Sequence, residues 1–371
     1  MSKKPKLRFN PFSGEWINSE FGDEIFPLIT GKSFSSELDP DGKFIVVDMG
    51  GVSKSGELIS NKRVCVQRDV LCRGDLVMPK DDIGGGFVIG RTCYIPEDDK
   101  YVLGDHVYRI RTKSMRSDFL HYLINSPSFN RSIKKKVTGT AQLGLKGDNL
   151  SKEIITFPEN VDEQQKIASF FTALDGKIVI YAKRIDCLNN LKRGVMRKLF
   201  SEIDSCDTIL LGDLVGRISS GRTKSVKDAD GLYPLCGSTG IIGSCDCKEY
   251  SGEKILIARV GANAGTVNFH CGDCGVTDNT LVISSCSSDV SLKWLFHFLI
   301  FRNLTKMIFG SGQPLITATQ LKNIDVPVPS AEYQLLIVNT LDAMDRSINV
   351  AKNKLNCLRR MKKAFMQQMF V

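Results

Sequence analysis

The sequence predicts an α+β protein made by tandem duplication. Two globular domains are joined by two long helices that pack as an antiparallel coiled coil with pseudo-two-fold symmetry. The first of three supporting observations is a seam of apolar residues, Ile167, Phe171, Leu174, Ile178, Tyr181, Ile185 and Leu188, stepping by four and three, with Val195 and Leu199 beyond it. The second is its repeat 170 residues on: Ile337, Leu341, Met344, Ile348, Ala351, Leu355, Leu358, Phe365 and Met369. Lys192 interrupts the first seam and Lys362 the second at the same step. Two seams with one register and one defect mean an internal duplication. The third is that the segments ahead of the two helices also correspond.

In chain order, residues 1–10 read as a disordered lead-in. A globular region begins at Phe21-Gly22-Asp23 and reaches Gly31-Lys32 nine residues after the Gly-Asp pair. Its counterpart begins at Leu211-Gly212-Asp213 and reaches Gly221-Arg222 by the same step. Phe44–Val47 matches Tyr233–Leu235, Gly74–Val77 matches Lys254–Ile257, and Gly104–Val107 matches Thr277–Thr280. Alternating β-branched residues between Gly, Asp and Ser clusters read as short strands with tight turns. Apolar stripes predict helices over Phe119–Ile124 and about Leu292–Phe301. A loop follows in each half, Gly139–Leu145 and Gly310–Ile316, and then a strand-like exit, Ile155–Pro158 and Val326–Pro329. Asp162-Glu163-Gln164 and Glu332-Tyr333-Gln334 open the long helices, where acidic groups suit the helix dipole. The resulting division is 1–160, 161–200, 201–330 and 331–371. Each long helix spans roughly 50–60 Å and buries its seam most economically against its duplicate, which sets the globular domains at opposite ends.

Composition agrees with a soluble protein: 42% apolar and 25% charged residues, with a formal charge of +9. The helices carry most of that charge, with 8 basic and 4 acidic residues in 161–200, and 7 and 3 in 331–371. A basic protein suggests a polyanionic partner, although coiled-coil outer faces are charged in any case. No run has the roughly 18 apolar residues of a membrane helix, and the basic start has no apolar core of a signal peptide. The 12 scattered cysteines read as reduced thiols of a cytoplasmic protein.

Self-contained chemistry is hard to find. Asn10-Pro11-Phe12 lacks the rest of an amino-methyltransferase motif. Gly84-Gly85-Gly86 lacks the Lys-Ser/Thr of a phosphate loop and reads as a flexible loop. Val260–Gly265 reads as a close turn. Cys245, Cys247, Cys271 and Cys274 raise the question of zinc, but only the second pair has a common ligand spacing; small buried thiols are the simpler reading, and no metal is assigned. Cys187 and Cys357 flank the seams and are expected to pack. His121 and His297 lie in the domain-ending helices, where packing is the ordinary role, and His106 and His270 have no paired nucleophile. No catalytic residue is assigned.

The chain resembles the specificity subunits of type I restriction–modification enzymes. The resemblance runs in the family's order through GTAQLGL with its echo GSGQPLI, FPENVDEQQKIASFFTALDGKI, LKRGVMRKLF, YPLCGSTGIIG, ILIARVGANAG and VTDNTLVI. The second helix opening departs from it, because Tyr333 interrupts the Glu-Gln pair. The resemblance implies two target recognition domains, each reading one half of a bipartite, asymmetric sequence in double-stranded DNA, with the helices as a ruler. It also implies a non-catalytic role beside two methyltransferase subunits, with a restriction/translocase subunit added for cleavage. S-adenosylmethionine would be held by the methyltransferase partner and no cofactor by this chain.

Candidate DNA contacts are Lys32, Lys80 and Arg91 in the first domain and Arg222, Lys224, Arg259 and Asn263 in the second. Each lies in a turn-rich segment, and Arg suits guanine as Asn suits adenine. Ser238 and Thr239 are weaker candidates; Gln142 and Gln313, in equivalent loops, read as structural. Two other functions are open at this point. A coiled-coil scaffold would bind DNA without sequence preference, and a stand-alone methyltransferase would bind S-adenosylmethionine by itself.

Overall fold

The computed structural model describes residues 4–139, 142–203, 206–223, 231–308 and 314–371. It forms two compact units, Met1–Tyr181 with Lys354–Val371, and Ala182–Asn353. In the first unit, β1 (Ile17–Glu20) pairs antiparallel with β12 (Ile154–Phe157). A four-stranded sheet has the order β2 (Ile29–Thr30), β10 (Val107–Ile110), β6 (Leu76–Pro79), β8 (Cys93–Tyr94). A second has the order β4 (Arg63–Val64), β3 (Phe44–Val47), β9 (Tyr101–Leu103), β5 (Val70–Leu71), with β3 and β9 parallel. The short β7 (Asp81–Asp82) pairs with β11 (Leu143–Gly144).

The second unit repeats this plan. Here β13 (Thr208–Leu210) pairs with β21 (Asp325–Pro327). The four-stranded sheet runs β14 (Ile218–Ser220), β20 (Thr280–Ile283), β17 (Glu253–Ala258), β18 (Val267–Cys271). The smaller sheet runs β16 (Gly240–Cys245), β15 (Tyr233–Gly237), β19 (Gly275–Val276), and β15 and β19 are again parallel. The central strand β6 and the Ile255–Ala258 part of β17 are apolar runs buried throughout, as strands covered on both faces are. The duplication therefore extends through sheet order and strand direction.

Helices α1 (Ser117–Ile124), α2 (Pro127–Lys136) and α3 (Gly147–Ser151) belong to the first unit, and α5 (Leu211–Leu214), α6 (Leu292–Arg302) and α7 (Ala318–Lys322) to the second. Helix α2 lies between the predicted helix and the predicted loop, where the sequence pattern assigns no element. Ser126 caps it by accepting the Phe129 N–H, Pro127 opens it, and Lys134, Lys135 and Lys136 sit at its C-terminal end. Its polar face obscures the apolar periodicity. Among the described residues, the corresponding place in the second unit holds a 3-10 turn, Leu304–Met307.

The long helices are α4 (Val161–Ser201) and α8 (Ala331–Met369). In the first unit the opening of α4 lies against the end of α8, with Phe170 and Phe365 rings 5.1 Å apart and Lys362 Nζ 2.6 Å from Asp175. In the second the end of α4 meets the opening of α8, and Lys192 Nζ lies 2.6 Å from Asp345. Both pairings are antiparallel. Adding 170 to one ion pair gives the other with the helices exchanged, as a duplicated antiparallel pair requires. The interrupting lysines are thus cross-helix partners of acidic residues.

The seams hold from Ile167 to Ile178 and from Ile337 to Leu358, with Met344 only partly buried. At the helix ends the buried positions move by one. Met196 and Phe200, and equally Met366 and Phe370, are buried where Val195, Leu199 and Phe365 are not, while the predicted Met369 is buried as well. The last turns leave the seam and enter the globular cores: Phe200 stacks on Phe301 at 4.8 Å, and Phe370 lies 5.8 Å from Phe119. Cys187 and Cys357 are exposed, not packed.

The start of the chain also departs from expectation. Leu7 donates to the Gln368 carbonyl, Phe9 meets Phe170 edge-on at 5.5 Å, and Trp16 is buried. Arg8 grips the buried Glu163 through two N–H groups, Nε at 2.6 Å and Nη2 at 2.7 Å. This arm is tied to the first unit from residue 7 onward, with Trp16 in its core and Phe9 packed against it.

Gln164 and Gln334, one per copy, do the same work. The Gln164 oxygen accepts the Arg116 N–H ahead of α1, and its amide donates to the Pro158 carbonyl. The Gln334 oxygen accepts the Ser291 N–H ahead of α6, and its amide donates to Pro329. The Glu that the second copy lacks is the one occupied by Arg8 in the first. Tyr333 in its place donates to Glu202.

Candidate nucleic-acid interface

Two glycines fix the frame of the candidate site. A Cβ on Gly31 would lie 2.2 Å from the Leu103 carbonyl oxygen, and one on Gly221 would lie 2.2 Å from that of Val276. The chain after β2 therefore passes directly over the turn between β9 and β10, and the chain after β14 over the turn between β19 and β20. Only glycine leaves room for that approach. Lys32 and Arg222 follow these glycines, and both are exposed.

The ends of the central strands match in the same way. Lys80, just past β6, donates its N–H to the His106 carbonyl at 3.0 Å and accepts from Leu145 at 2.7 Å. Arg259, just past β17, donates to the Asn279 carbonyl at 2.9 Å and accepts from Ile316 at 2.9 Å. The pairs before them, Pro79 with Val107 and Ala258 with Thr280, share a register. Lys80 and Arg259 thus occupy one position of a common backbone frame. His106 and Asn279 hold a second position and Lys32 and Arg222 a third.

The frame carries unlike chemistry in the two units. His106 is paired with Asp81 at 2.8 Å, and the Lys80 ammonium lies 6.0 Å from the Tyr108 ring. Arg259 is half-buried, and its Nε has no hydrogen-bond partner among the described residues. The turn after Gly31 is held by Arg68, which donates to the Ser33 carbonyl and to Glu37 and lies over the Phe34 ring at 4.0 Å. The turn after Gly221 is held by the Glu249 carboxylate, which accepts the N–H groups of Arg222 and Thr223 and the Thr223 hydroxyl.

Four of the seven candidate residues, Lys32, Lys80, Arg222 and Arg259, fall on this frame. Arg91 does not: it is half-buried, donates to the Asn125 carbonyl at 2.8 Å, and burial draws its pKa down. It lines a separate cleft of about 860 Å³ with Lys54, Arg131, Lys134 and Lys362. Asn263 is exposed at the end of the turn Gly261–Asn263. That segment is the close turn expected: a Cβ on Gly265 would lie 2.8 Å from the Thr305 nitrogen. Lys224 and Gln313 lie outside the described residues. Ser238 and Thr239 form the turn between β15 and β16, and the Ser238 carbonyl accepts from Asn268. Gln142 belongs to the loop that crosses to β7, where its carbonyl would lie 2.1 Å from a Cβ on Gly139.

The triple glycine is not a free loop. The Asp82 carboxylate accepts the Gly84 N–H at 2.6 Å and the Val88 N–H at 2.9 Å, and Gly85 and Gly86 have positive φ. His106 and Asn279 were not among the candidates, although the segments that carry them had been matched in the sequence. His297 packs as expected and bonds Asp342 at 2.9 Å. The cysteine set raised for zinc does not converge. Cys247 and Cys271 are exposed, whereas among the described residues the sulfurs of Cys236 and Cys274 approach His270.

A sequence model of the type I restriction modification DNA specificity domain matches residues 15–190 and again residues 207–360. The chain is 33% identical over 146 residues to the type I restriction enzyme EcoprrI specificity subunit of Escherichia coli, a match covering 38% of this chain and 36% of that one. It thus spans little more than a third of that relative's length. It is 22% identical over 363 residues to the MjaVIII specificity subunit of Methanocaldococcus jannaschii, covering 85% and 81% of the two chains. The crystal structure of the type I restriction–modification S subunit from M. genitalium shares its fold, with a TM-score of 0.75 at 17% identity over 99% of both chains. With one copy of the domain in each half, this chain belongs to the type I restriction–modification DNA specificity family.

Proposed function

We propose that this chain is the non-catalytic subunit that reads a bipartite, asymmetric target in double-stranded DNA and directs adenine methylation and cleavage by partner subunits. The observation that carries this reading is the shared frame: equivalent backbone positions present Lys32, Lys80 and His106 in one unit and Arg222, Arg259 and Asn279 in the other. A common frame delivers side chains to a groove in the same way twice, and unlike side chains select unlike bases. Residues 1–160 and 201–330 are the two readers. Residues 161–200 and 331–371 are the spacer that sets the number of unread base pairs, as dimer geometry sets half-site spacing elsewhere.

Two methyltransferase subunits supply S-adenosylmethionine and the chemistry, extruding the target adenine from the helix. A restriction/translocase subunit joins for cleavage, and the complex works in the cytoplasm. Among the described residues no helix is long and apolar enough to cross a membrane. The test is to map methylated adenines in cells with and without this chain. A split motif that disappears with the chain is the expected result. An unchanged methylation pattern, together with DNA binding that ignores sequence, would leave only a scaffold.

A further inference from the structure

The convergence of Cys236, His270 and Cys274 in the second unit is not used by DNA reading. Cys236 lies in β15, His270 in β18, and Cys274 in the turn that leads to β19. The two Sγ atoms and a ring nitrogen of His270 all lie within 4.8 Å of one another, and both cysteines are buried. His270 Nε2 is buried and has no hydrogen-bond partner among the described residues, while the backbone of Asp273 hydrogen-bonds the ring. A buried, unpaired ring nitrogen is costly. A histidine fixed from one side by a backbone group, with its other nitrogen free, has the arrangement of a metal ligand with its outer partner.

From this juxtaposition we propose that Cys236 Sγ, Cys274 Sγ and His270 Nε2 bind a zinc ion. Two thiolates and an imidazole favour zinc over oxygen-seeking cations. In a tetrahedral site with Zn–S bonds of about 2.3 Å the ligand atoms stand roughly 3.5–4 Å apart, so the three side chains need close only slightly. Binding releases the two thiol protons to water. Cys245 is also buried, but its Sγ donates to the Cys247 carbonyl and stands outside the converging group, so the chain supplies three ligands. Two thiolates, one neutral imidazole and Zn²⁺ carry no net charge. The fully buried Lys254, whose ammonium donates to the Gly252 and Gly272 carbonyls, ties down the turn between His270 and Cys274. The ion joins β15 of the smaller sheet to β18 of the larger. It is a structural clip within the second unit, for which the equivalent positions of the first unit hold no cysteine–histidine group among the described residues.

The test uses the full chain, purified under reducing conditions without added metal and then titrated with Co²⁺ or Zn²⁺ alone. One equivalent of metal per chain is expected, with the intense thiolate-to-cobalt absorption and the visible bands of tetrahedral cobalt. His270→Ala and Cys274→Ser should weaken binding at least tenfold, whereas Cys247→Ser and Cys271→Ser should bind as the parent chain does. The parent chain's cobalt spectrum is informative even if a ligand variant fails to fold. Absence of thiolate–cobalt absorption in the reduced parent chain would overturn the proposal. So would equal loss in the Cys247 and Cys271 variants, or a Cys236–Cys274 disulfide in the anaerobically isolated chain.

Discussion

In the first unit the turn after Gly31 is held by a cation: Arg68 donates to the Ser33 carbonyl. In the second, the turn after Gly221 is held by an anion, with Glu249 accepting two amide N–H groups. The backbone path is the same, and the glycine that permits it stands in the same place. The hydrogen-bonding direction of the supporting side chain is reversed. The same division runs through the candidate interface, where Lys80 and Arg259 keep equivalent backbone partners but present different cations. What was duplicated is the frame, and the side chains placed on it have diverged. That is the pattern required of two readers with separate targets on one scaffold.

The largest effect is expected where the frame itself is attacked. Gly31→Ala and Gly221→Ala each place a methyl 2.2 Å from a backbone oxygen that cannot rotate away. Each should cost at least about 3 kcal/mol in its own unit. Hydrogen exchange read separately over the two units checks this. A tolerated alanine at one glycine and not the other would break the equivalence.

Next is the feature that the units do not share. Arg8→Ala leaves Glu163 buried without its cation, at a cost of about 3 kcal/mol. Urea unfolding followed by exchange should show the loss in the first unit alone, since Tyr333 stands at the position of Glu163.

Acid should weaken the first unit through its buried histidine. Burial pulls His121 down to about 3, and the Lys362 cation adds to it. Burial lowers His297 too, but Asp342 opposes the shift. A histidine whose folded pKa lies below its unfolded value binds fewer protons when folded. Its contribution is intact above about pH 6.5 and is lost as pH falls through that value toward the folded pKa. His270 in the second unit is also drawn down, by burial and by the Lys254 cation. Exchange over the first unit between pH 7 and 5 should therefore show weakening, and His121→Gln should flatten that unit's dependence while leaving the second unit's unchanged.

The smallest effect belongs to the equivalent ion pairs. Lys192→Met and Lys362→Met each remove a partly exposed pair with its acid. Each should change stability by about 1 kcal/mol or less, and by similar amounts. Double-mutant cycles with Asp345→Asn and Asp175→Asn measure the coupling.

The seams and their repeat were legible because a heptad is a local pattern that survives divergence. The interrupting lysines were visible as defects, but their acidic partners lie more than 150 residues away and carry no local signal. The equivalence of Lys80 with Arg259 was hidden because loops of unequal length shift the register between the halves, and only the backbone hydrogen bonds reveal it. Arg91 sits in a turn-rich stretch like a reader, yet a carbonyl contributed by the distant Asn125 takes its N–H. The arm at residues 7–16 looked disordered because its apolar groups are sparse. It is ordered by Glu163, Phe170 and Gln368, which sequence proximity does not connect to it.

The central claim, one frame with independent readings, is tested most directly by exchanging a single reader. Residues 17–157 would be replaced by the matching segment of another family member of different specificity, and methylated adenines mapped in cells carrying the chimera. The account predicts that one half of the split motif changes while the other half and the spacing persist. A change in both halves, or in the spacing alone, would contradict it.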